Sequence, residues 1–346
     1  MKNKFIPILI FSSIVLSACT DTPAENTNQE QKLEKVKVQA GWLLNGEFAN
    51  VCSSITEGYY KDEGLDVELI PGGPSGASFI LATSVVAQDD SITLGIDGDM
   101  IPLIRGITKE NESEKLRVKA FAAFWNDNPY GFIVKKDSGL NSLKDFIKTK
   151  SDGSKYKIGV TADSVAQEAI AKASNVPVSA LNLITIGYDA TPFLSGEVDA
   201  LASYWTTQAY EVEKAGIDYK FLPASELAAF NQPSMVAIAS DKTIKEKKGT
   251  LVKWLKATVK GSQFVINNPE KAAKNILDER CGGSKFNASQ EEWLIKKSIP
   301  LFDKSQIGNL NETQIQDFAK AYFELGQIPY APKNSEFIDT SILKGL

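Results

Sequence analysis

Alternating apolar and acidic residues mark one short segment in the first quarter of the chain. Residues 65–69 read Leu-Asp-Val-Glu-Leu, which is the period of a strand with one buried face. Gly64 precedes this strand, where a helix C-cap favours left-handed geometry. A strand over 36–44 and a helix over 47–60 are predicted before it. The order strand, helix, strand predicts a βαβ unit.

The loops of this unit are predicted to line a cleft. In open α/β sheets, ligands bind beyond the carboxyl ends of the strands. Residues 45–48 and the glycine turn at 72–75 follow two such ends.

Similar patterns recur along the rest of the chain. Further strands are predicted at 91–96, 117–125, 129–135, 157–160, 183–187, 201–204 and 233–240. Helices are predicted at 75–86, 165–174, 249–267, 269–279, 289–297 and 312–325. Ser164 and Gln167 have the spacing of a capping box at the start of the second of these helices.

Several short motifs together resemble one family. The first βαβ unit resembles that of periplasmic solute-binding proteins in the nitrate, sulfonate and thiamine-precursor class of ABC importers. The resemblance is carried by Trp42, Phe48 with Ala49, Gly58–Tyr60, Glu63–Val67 and Gly72–Pro74. Two later segments, 138–143 and 195–200, also resemble segments of that family.

The resemblance implies an α/β fold of the two-lobed periplasmic-binding-protein type II, in which each lobe is a mixed sheet flanked by helices. We expect the first lobe at 36–126 and 233–346 and the second lobe at 127–232. The turn-rich cluster Asn126–Asp127–Asn128 lies at the expected hinge.

The chain begins like an exported lipoprotein. Two lysines, a short apolar run and small residues make 1–18 a predicted secretory signal, too short for a stable membrane span. The ending Leu-Ser-Ala before Cys19 resembles a bacterial lipobox, so Cys19 is expected to carry a lipid. Residues 19–35 are then the lipidated cysteine and a disordered tether. The expected location is extracytoplasmic, on a bacterial membrane.

Charge argues against nucleic acid as a partner. Removing 1–18 takes two lysines and no acids, which leaves 36 basic and 43 acidic residues and a formal charge of −7. The resemblance implies a small-molecule solute, an ABC permease and its ATPase as partners, with the protein itself a monomer.

Cysteine and histidine content limits the chemistry. An exported protein could pair Cys52 with Cys281, but their spacing does not establish a disulfide, and Cys52 is expected to be a small core residue. The chain has no histidine, which removes histidine-based triads and zinc sites. We therefore predict no catalytic residues, no metal and no cofactor.

Aromatic and polar residues in the predicted cleft loops are the candidate ligand-binding set. Aromatic rings supply contact area and polar groups set orientation. The set comprises Trp42, Glu47, Phe48, Ser75, Asp97, Asp99, Trp125, Asn126, Asp163, Tyr188 and Trp205.

Charge in these loops selects among solute classes. None of the three arginines falls in a predicted cleft loop, whereas several acids do. Nitrate or a sulfonate would be repelled, so a neutral or cationic heteroaromatic such as a thiamine pyrimidine precursor fits better. Riboflavin is a close alternative, and nitrate or a taurine-type sulfonate remains open.

Two non-transport functions are alternatives. An exported enzyme on the same fold would use Asp97 with Asp99 as its acid and base. The fungal thiamine-pyrimidine synthase resembles this family but consumes an active-site histidine, so this chain cannot follow that route. A surface adhesin or sensor is the other alternative.

Overall fold

Twelve strands form two five-stranded sheets and one small hairpin in the described residues. The computed structural model describes residues 32–75, 78–161 and 164–346. The strands are β1 (Glu34–Ala40), β2 (Leu65–Ile70), β3 (Gly73–Ser75), β4 (Ser78–Ile80), β5 (Leu94–Asp97), β6 (Val118–Trp125), β7 (Tyr130–Lys135), β8 (Lys157–Val160), β9 (Asn182–Thr185), β10 (Ala200–Tyr204), β11 (Tyr219–Pro223) and β12 (Ser234–Ser240). The predicted signal peptide, Cys19, most of the tether and Asp163 lie outside the described residues.

The first sheet has the strand order β2-β1-β5-β12-β6. β1 runs parallel to β2 and β5, whereas β12 is antiparallel to β5 and β6. Every residue of β5 is buried and nearly every residue of β12 is, as expected for central strands covered on both faces.

The second sheet has the order β11-β7-β10-β8-β9 and is also mixed. β8 runs parallel to β9 and β10, and β7 is antiparallel to β10 and β11. The two sheets and their helices give the two-lobed α/β architecture that was predicted.

Helices cover both sheets. They are α1 (Ala49–Thr56), α2 (Tyr59–Asp62), α3 (Ala82–Gln88), α4 (Ile101–Ile107), α5 (Ala166–Ala173), α6 (Thr191–Leu194), α7 (Gln208–Lys214), α8 (Asp241–Glu246), α9 (Lys248–Asn267), α10 (Pro269–Ile276), α11 (Ala288–Ser298), α12 (Glu312–Glu324) and α13 (Asn334–Phe337). Within the described ranges, no helix combines the length and hydrophobicity needed to cross a membrane.

Helix α1 is held firmly in place. A Cβ atom at Gly261 of α9 would collide with the Ser54 hydroxyl and the Asn50 carbonyl, so glycine allows the two helices to approach closely. A disulfide joins Cys52 of α1 to Cys281, with 5.3 Å between the Cα atoms. Cys52 is a core residue as expected, and the pairing with Cys281, which the sequence left open, is present.

The chain crosses between the sheets twice, after β6 and before β12. Gln314 of α12 contacts both crossings, because its Nε2 donates to the Asn126 carbonyl at 3.1 Å and to Asn231 Oδ1 at 3.0 Å. Met235, just after the second crossing, has a φ of 51°, which is a strained conformation for a side chain of this size.

Two local predictions are wrong. The predicted helix at 75–86 is a hairpin of β3 and β4 followed by α3. Helix α3 begins later because the Asp97 carboxylate caps the backbone N–H groups of Ala82 and Thr83 at 2.9 Å each. In place of the predicted Ser164 capping box, Ser164 Oγ accepts the Ala166 backbone N–H at 3.1 Å at the start of α5, and Gln167 Nε2 donates to the Ser164 carbonyl at 2.8 Å.

Candidate functional site

Side chains from the ends of both sheets meet in one polar region, which we call the inter-sheet site. It comprises Glu47 after β1, Asp99 after β5, and Tyr204 and Thr206 at the end of β10. Two hydrogen bonds connect the sheets there. Thr206 Oγ1 donates to Glu47 Oε1 and Tyr204 Oη donates to Asp99 Oδ2, each at 3.0 Å.

Glu47 lies in a tight turn, Gly46–Phe48, which Asn45 caps by accepting the Glu47 backbone N–H at 3.0 Å. The side chain of Glu47 is buried. Burial raises the pKa of its carboxyl group to about 7. The hydrogen bond from Thr206 lowers this pKa in part, whereas the negative charge of the nearby Glu291 raises it further. Near neutral pH, Glu47 can therefore act either as a hydrogen-bond donor or as an acceptor.

Asp99 is the second carboxyl group of the site. Its Oδ1 accepts the Ile101 backbone N–H at 2.8 Å, while Oδ2 faces Tyr204. Burial raises its pKa to about 6, against the hydrogen bonds from Ile101 and Tyr204. The pKa of the Tyr204 hydroxyl is well above its usual value because of burial and the Asp99 charge, and the Glu47 charge also acts on it. Tyr204 thus lies near both carboxyl groups.

Three carboxamide side chains add hydrogen-bond donors. Asn45, Asn128 and Gln232 each accept a backbone N–H through their oxygen atom, which fixes the direction of the amide. Each NH₂ group therefore points away from the backbone N–H that its own amide oxygen accepts. Among the described residues, none of these three NH₂ groups has a hydrogen-bond partner of good geometry. The Asn45 and Asn128 amides lie close enough to Glu47 and Tyr204, respectively, to lower the pKa of each.

Asp97 has a different environment from Asp99. Its carboxylate accepts the backbone N–H groups of Ala82 and Thr83 and the Thr83 hydroxyl, the last at 2.5 Å. Burial raises its pKa against these three hydrogen bonds. Asp97 thus holds the start of α3, whereas Asp99 faces Tyr204.

The predicted aromatic residues divide into partly exposed side chains and core side chains. Trp42 is half-buried and makes an edge contact with Tyr188, with ring centroids 5.7 Å apart. Trp205 is also half-buried and precedes Thr206. Phe48 and Trp125, in contrast, are core side chains, each 1% exposed, and Trp125 packs on Phe302.

Two other predicted residues are described by their surroundings or by their strand. Asn126 is exposed. Ser75 is the last residue of β3. Sequence reasoning left Tyr204, Thr206, Asn128, Asn45 and Gln232 out of the candidate set. Position was the available signal for three of them, since Asn45 and Thr206 follow predicted strands and Tyr204 is the last residue of one.

The described residues hold no cluster of three or more cysteine or acidic side chains arranged for a metal ion. The site instead offers two carboxyl groups, hydroxyls, amide donors and rings. It can bind a small, flat, polar molecule through complementary hydrogen bonds and stacking.

Two mixed sheets joined by two crossings, with a polar site between their ends, define the type II periplasmic-binding-protein architecture. The chain belongs to the NMT1/THI5-like family, whose model matches residues 45–272.

Individual relatives are distant. The chain is 22% identical over 282 residues to the formylaminopyrimidine-binding protein of Halalkalibacterium halodurans, covering 80% of this chain and 79% of that one. It is also 22% identical over 257 residues to the 4-amino-5-hydroxymethyl-2-methylpyrimidine phosphate synthase THI13 of Saccharomyces cerevisiae, covering 71% of each.

A solved structure shows the same fold. The periplasmic nitrate-binding protein NrtA from Synechocystis PCC 6803 superimposes with a TM-score of 0.62 at 11% identity, covering 90% of this chain and 88% of that one.

Proposed function

We propose that this protein is a lipid-anchored, extracytoplasmic solute-binding protein that captures an aminopyrimidine related to thiamine precursors and delivers it to an ABC importer. The observation that carries the proposal is the pairing of Glu47 and Asp99 with partners from the opposite sheet. A ligand bound between the sheets would replace or extend these contacts, which couples binding to closure of the lobes.

The hydrogen-bonding groups of the site match an aminopyrimidine. Exocyclic amino groups donate and ring nitrogens accept, while the site offers carboxyl groups and amide NH₂ donors. Trp42 and Tyr188 supply ring surface for stacking. Both relatives are named for an aminopyrimidine, which supports the same class of ligand.

An anionic ligand fits less well. Each of the two carboxyl groups repels anions when it is ionised, and two of the three arginines are engaged elsewhere, Arg117 with Glu112 and Arg280 with Asp278. Arg105 donates to Gln327 and lies over the Tyr322 ring. Nitrate and sulfonates are therefore the second candidate class, favoured only by the similarity of fold.

Thermal denaturation with a ligand panel tests the proposal. The panel contains 4-amino-5-hydroxymethyl-2-methylpyrimidine, its formylamino analogue, riboflavin, nitrate and taurine. We expect stabilisation by an aminopyrimidine, because a ligand that binds only the folded state raises its free energy of unfolding. Stabilisation by nitrate or taurine alone would contradict the proposal, and stabilisation by riboflavin alone would select the flavin.

A matched pair of variants localises the binding. Asp99→Asn removes a charge from the inter-sheet site, whereas Asp90→Asn removes an exposed charge that pairs with Lys242. We expect only the first to weaken aminopyrimidine binding. Equal affinities for both variants would place the ligand elsewhere.

Membrane anchoring rests on Cys19. In the native host, Cys19→Ser should release the protein from the membrane fraction and abolish labelling by a radioactive fatty acid. Labelling that persists in the variant would contradict the anchor. Impaired uptake of the ligand when the partner permease is deleted would support delivery.

An enzymatic role is the remaining alternative, since one relative is a synthase. Recovery of the bound aminopyrimidine unchanged after prolonged incubation, measured by mass spectrometry, supports the binding function. Conversion to a new product would support the enzyme.

A further inference from the structure

Glu291, in the first turn of α11, is a buried acid outside the inter-sheet hydrogen bonds. It is 0% exposed. Its Oε2 accepts the Gly46 backbone N–H at 2.6 Å, and its Oε1 accepts the Ser284 hydroxyl. Among the salt bridges of the described residues, none involves Glu291. Burying a carboxylate without a cation is unfavourable, so this arrangement needs a physical explanation.

The turn that carries Glu47 packs directly on α11. A Cβ atom at Gly46 would meet Leu294 and Ile295 side-chain atoms at 2.9 and 2.8 Å, so glycine allows the turn to approach this helix closely. The turn is therefore held between α11 on one side and the second sheet on the other. Glu291 binds the backbone of the residue immediately before Glu47.

The negative charge of Glu291 also raises the pKa of Glu47, from the side of the turn that packs on α11. Burial raises the pKa of Glu291, and the hydrogen bonds from Ser284 and Gly46, which stabilise its ionised form, oppose that increase. From the opposite side, Glu47 faces Thr206 and Tyr204, which are neutral at physiological pH. The other helix against the turn, α10, carries Glu270, Lys271 and Lys274, and all three are exposed.

We propose that Glu291 is a positioning residue that fixes the Gly46–Phe48 turn and, through its negative charge, keeps a proton on Glu47 for hydrogen bonding to the ligand. The proposal rests on the proposed function for the nature of the ligand. A protonated carboxyl group pairs with an aminopyrimidine in two bonds: its O–H donates to a ring nitrogen, and its carbonyl oxygen accepts from the amino group. An ionised Glu47 cannot donate to the neutral ring.

This mechanism predicts a specific pH profile. Affinity for an aminopyrimidine should fall as the pH rises above about 7, where free Glu47 loses its proton, and should also fall at low pH, where the ring nitrogen is itself protonated and no longer accepts a hydrogen bond. Above about pH 7, each pH unit should reduce the affinity about tenfold, because the complex holds one proton more than the free protein.

The test uses Glu291→Gln, which retains hydrogen-bonding capacity towards Gly46 and Ser284 but removes the charge. Glu292→Gln on the same helix is the control, since Glu292 is partly exposed and pairs with Lys296. The readout that needs no ligand is carbon-13 NMR of glutamate carboxyl groups, with the Glu47 signal assigned by its loss in Glu47→Gln.

We expect Glu291→Gln to lower the titration midpoint of Glu47 by about half a pH unit or more and to move the break in the affinity profile by the same amount. Glu292→Gln should leave both unchanged. Glu291→Ala, which also removes the hydrogen bonds, should weaken binding at every pH. An unchanged Glu47 midpoint in Glu291→Gln would overturn the proposal, even if the protein binds no pyrimidine and the proposed function fails.

Discussion

A cluster on the outer surface bridges the two lobes away from the inter-sheet site, and its removal should favour the open form. Glu213 of α7 lies at its centre. Its carboxylate accepts the Trp293 indole N–H at 2.7 Å, Lys297 Nζ at 2.9 Å and the Tyr219 hydroxyl at 2.8 Å. Partial burial raises the pKa of Glu213, but these three donors outweigh it and bring the pKa below its usual value. Trp293 and Lys297 belong to α11, which packs on the first lobe.

The contribution of this cluster to closure follows from the two bonds that cross between the lobes. The hydrogen bond from the indole to the carboxylate contributes about 1 kcal/mol. The pair with Lys297 contributes about 0.2–1 kcal/mol, because both side chains are more than a third exposed. Tyr219 lies in the second sheet, in the same lobe as Glu213, so its hydrogen bond to Glu213 does not favour the closed form over the open form. Glu213→Ala should therefore destabilise the closed form by about 1–2 kcal/mol.

Such a change is measurable as a loss of affinity. If the ligand binds the closed form, and that form is the minor one without ligand, the apparent Kd should rise about 5- to 30-fold. Isothermal calorimetry measures the Kd, and small-angle X-ray scattering of the ligand-free protein measures the opening. Glu211→Ala, on the same helix and exposed, is the matched control. Trp293→Phe should give about half the effect. Equal Kd and equal scattering for Glu213→Ala and wild type would refute the reasoning.

Three further predictions concern the site and the disulfide. Tyr204→Phe leaves Asp99 without its hydrogen-bond donor from the second sheet. The free energy of unfolding measured in urea should fall by about 1.5–3 kcal/mol, and an unchanged urea midpoint would contradict this hydrogen bond. Folding raises the pKa of Glu47 from 4.5 to about 7. The protonated carboxyl group therefore contributes fully to the free energy of unfolding below about pH 4.5, and this contribution is lost as the pH rises to about 7. It amounts to at most about 3 kcal/mol. The pH dependence of chemical denaturation should therefore be flatter over that window in Glu47→Gln than in wild type. Reducing the bond between Cys52 and Cys281 should lower stability by about 2–5 kcal/mol, with no effect of reductant on the double alanine variant.

The regular elements were predictable where the local pattern and the tertiary environment agree. The segment 65–69 alternates strictly and forms most of β2, and Gly64 has the expected left-handed φ of 77°. The long helices of the C-terminal part also begin and end within a few residues of their predicted bounds. In these segments one buried face decides both the local pattern and the packing.

The wrong elements are those whose limits depend on distant residues. Helix α3 starts where Asp97, fourteen or fifteen positions later in the chain, can accept its first N–H groups. The glycines and proline of residues 72–76 favour extended and turn geometry before it. The residues at 75–86 carry no local signal that predicts where the Asp97 carboxylate will lie in the folded protein.

The site was only partly predictable for the same reason. The position of Glu47 and Asp99 beyond strand ends is visible in the sequence, but the direction in which a side chain points is not. Asp97 and Asp99 are two residues apart, yet one caps a helix and the other binds Tyr204. Trp125 ends β6 and packs into the core on Phe302 instead of facing the other sheet. Sequence patterns locate the strand end, and packing decides which side chain is available.

Helix α11 contacts both lobes: it binds the Glu47 turn of the first lobe and Glu213 of the second. Its first turn places Glu291 against the backbone of the Glu47 turn, and its next turns carry Trp293 and Lys297 to Glu213 of the other lobe. A helix of eleven residues moves as a nearly rigid unit, because its backbone hydrogen bonds are made internally. We expect opening of the lobes to separate Trp293 from Glu213 and Thr206 from Glu47 together. Closure should therefore be stabilised both at the outer surface and at the inter-sheet site.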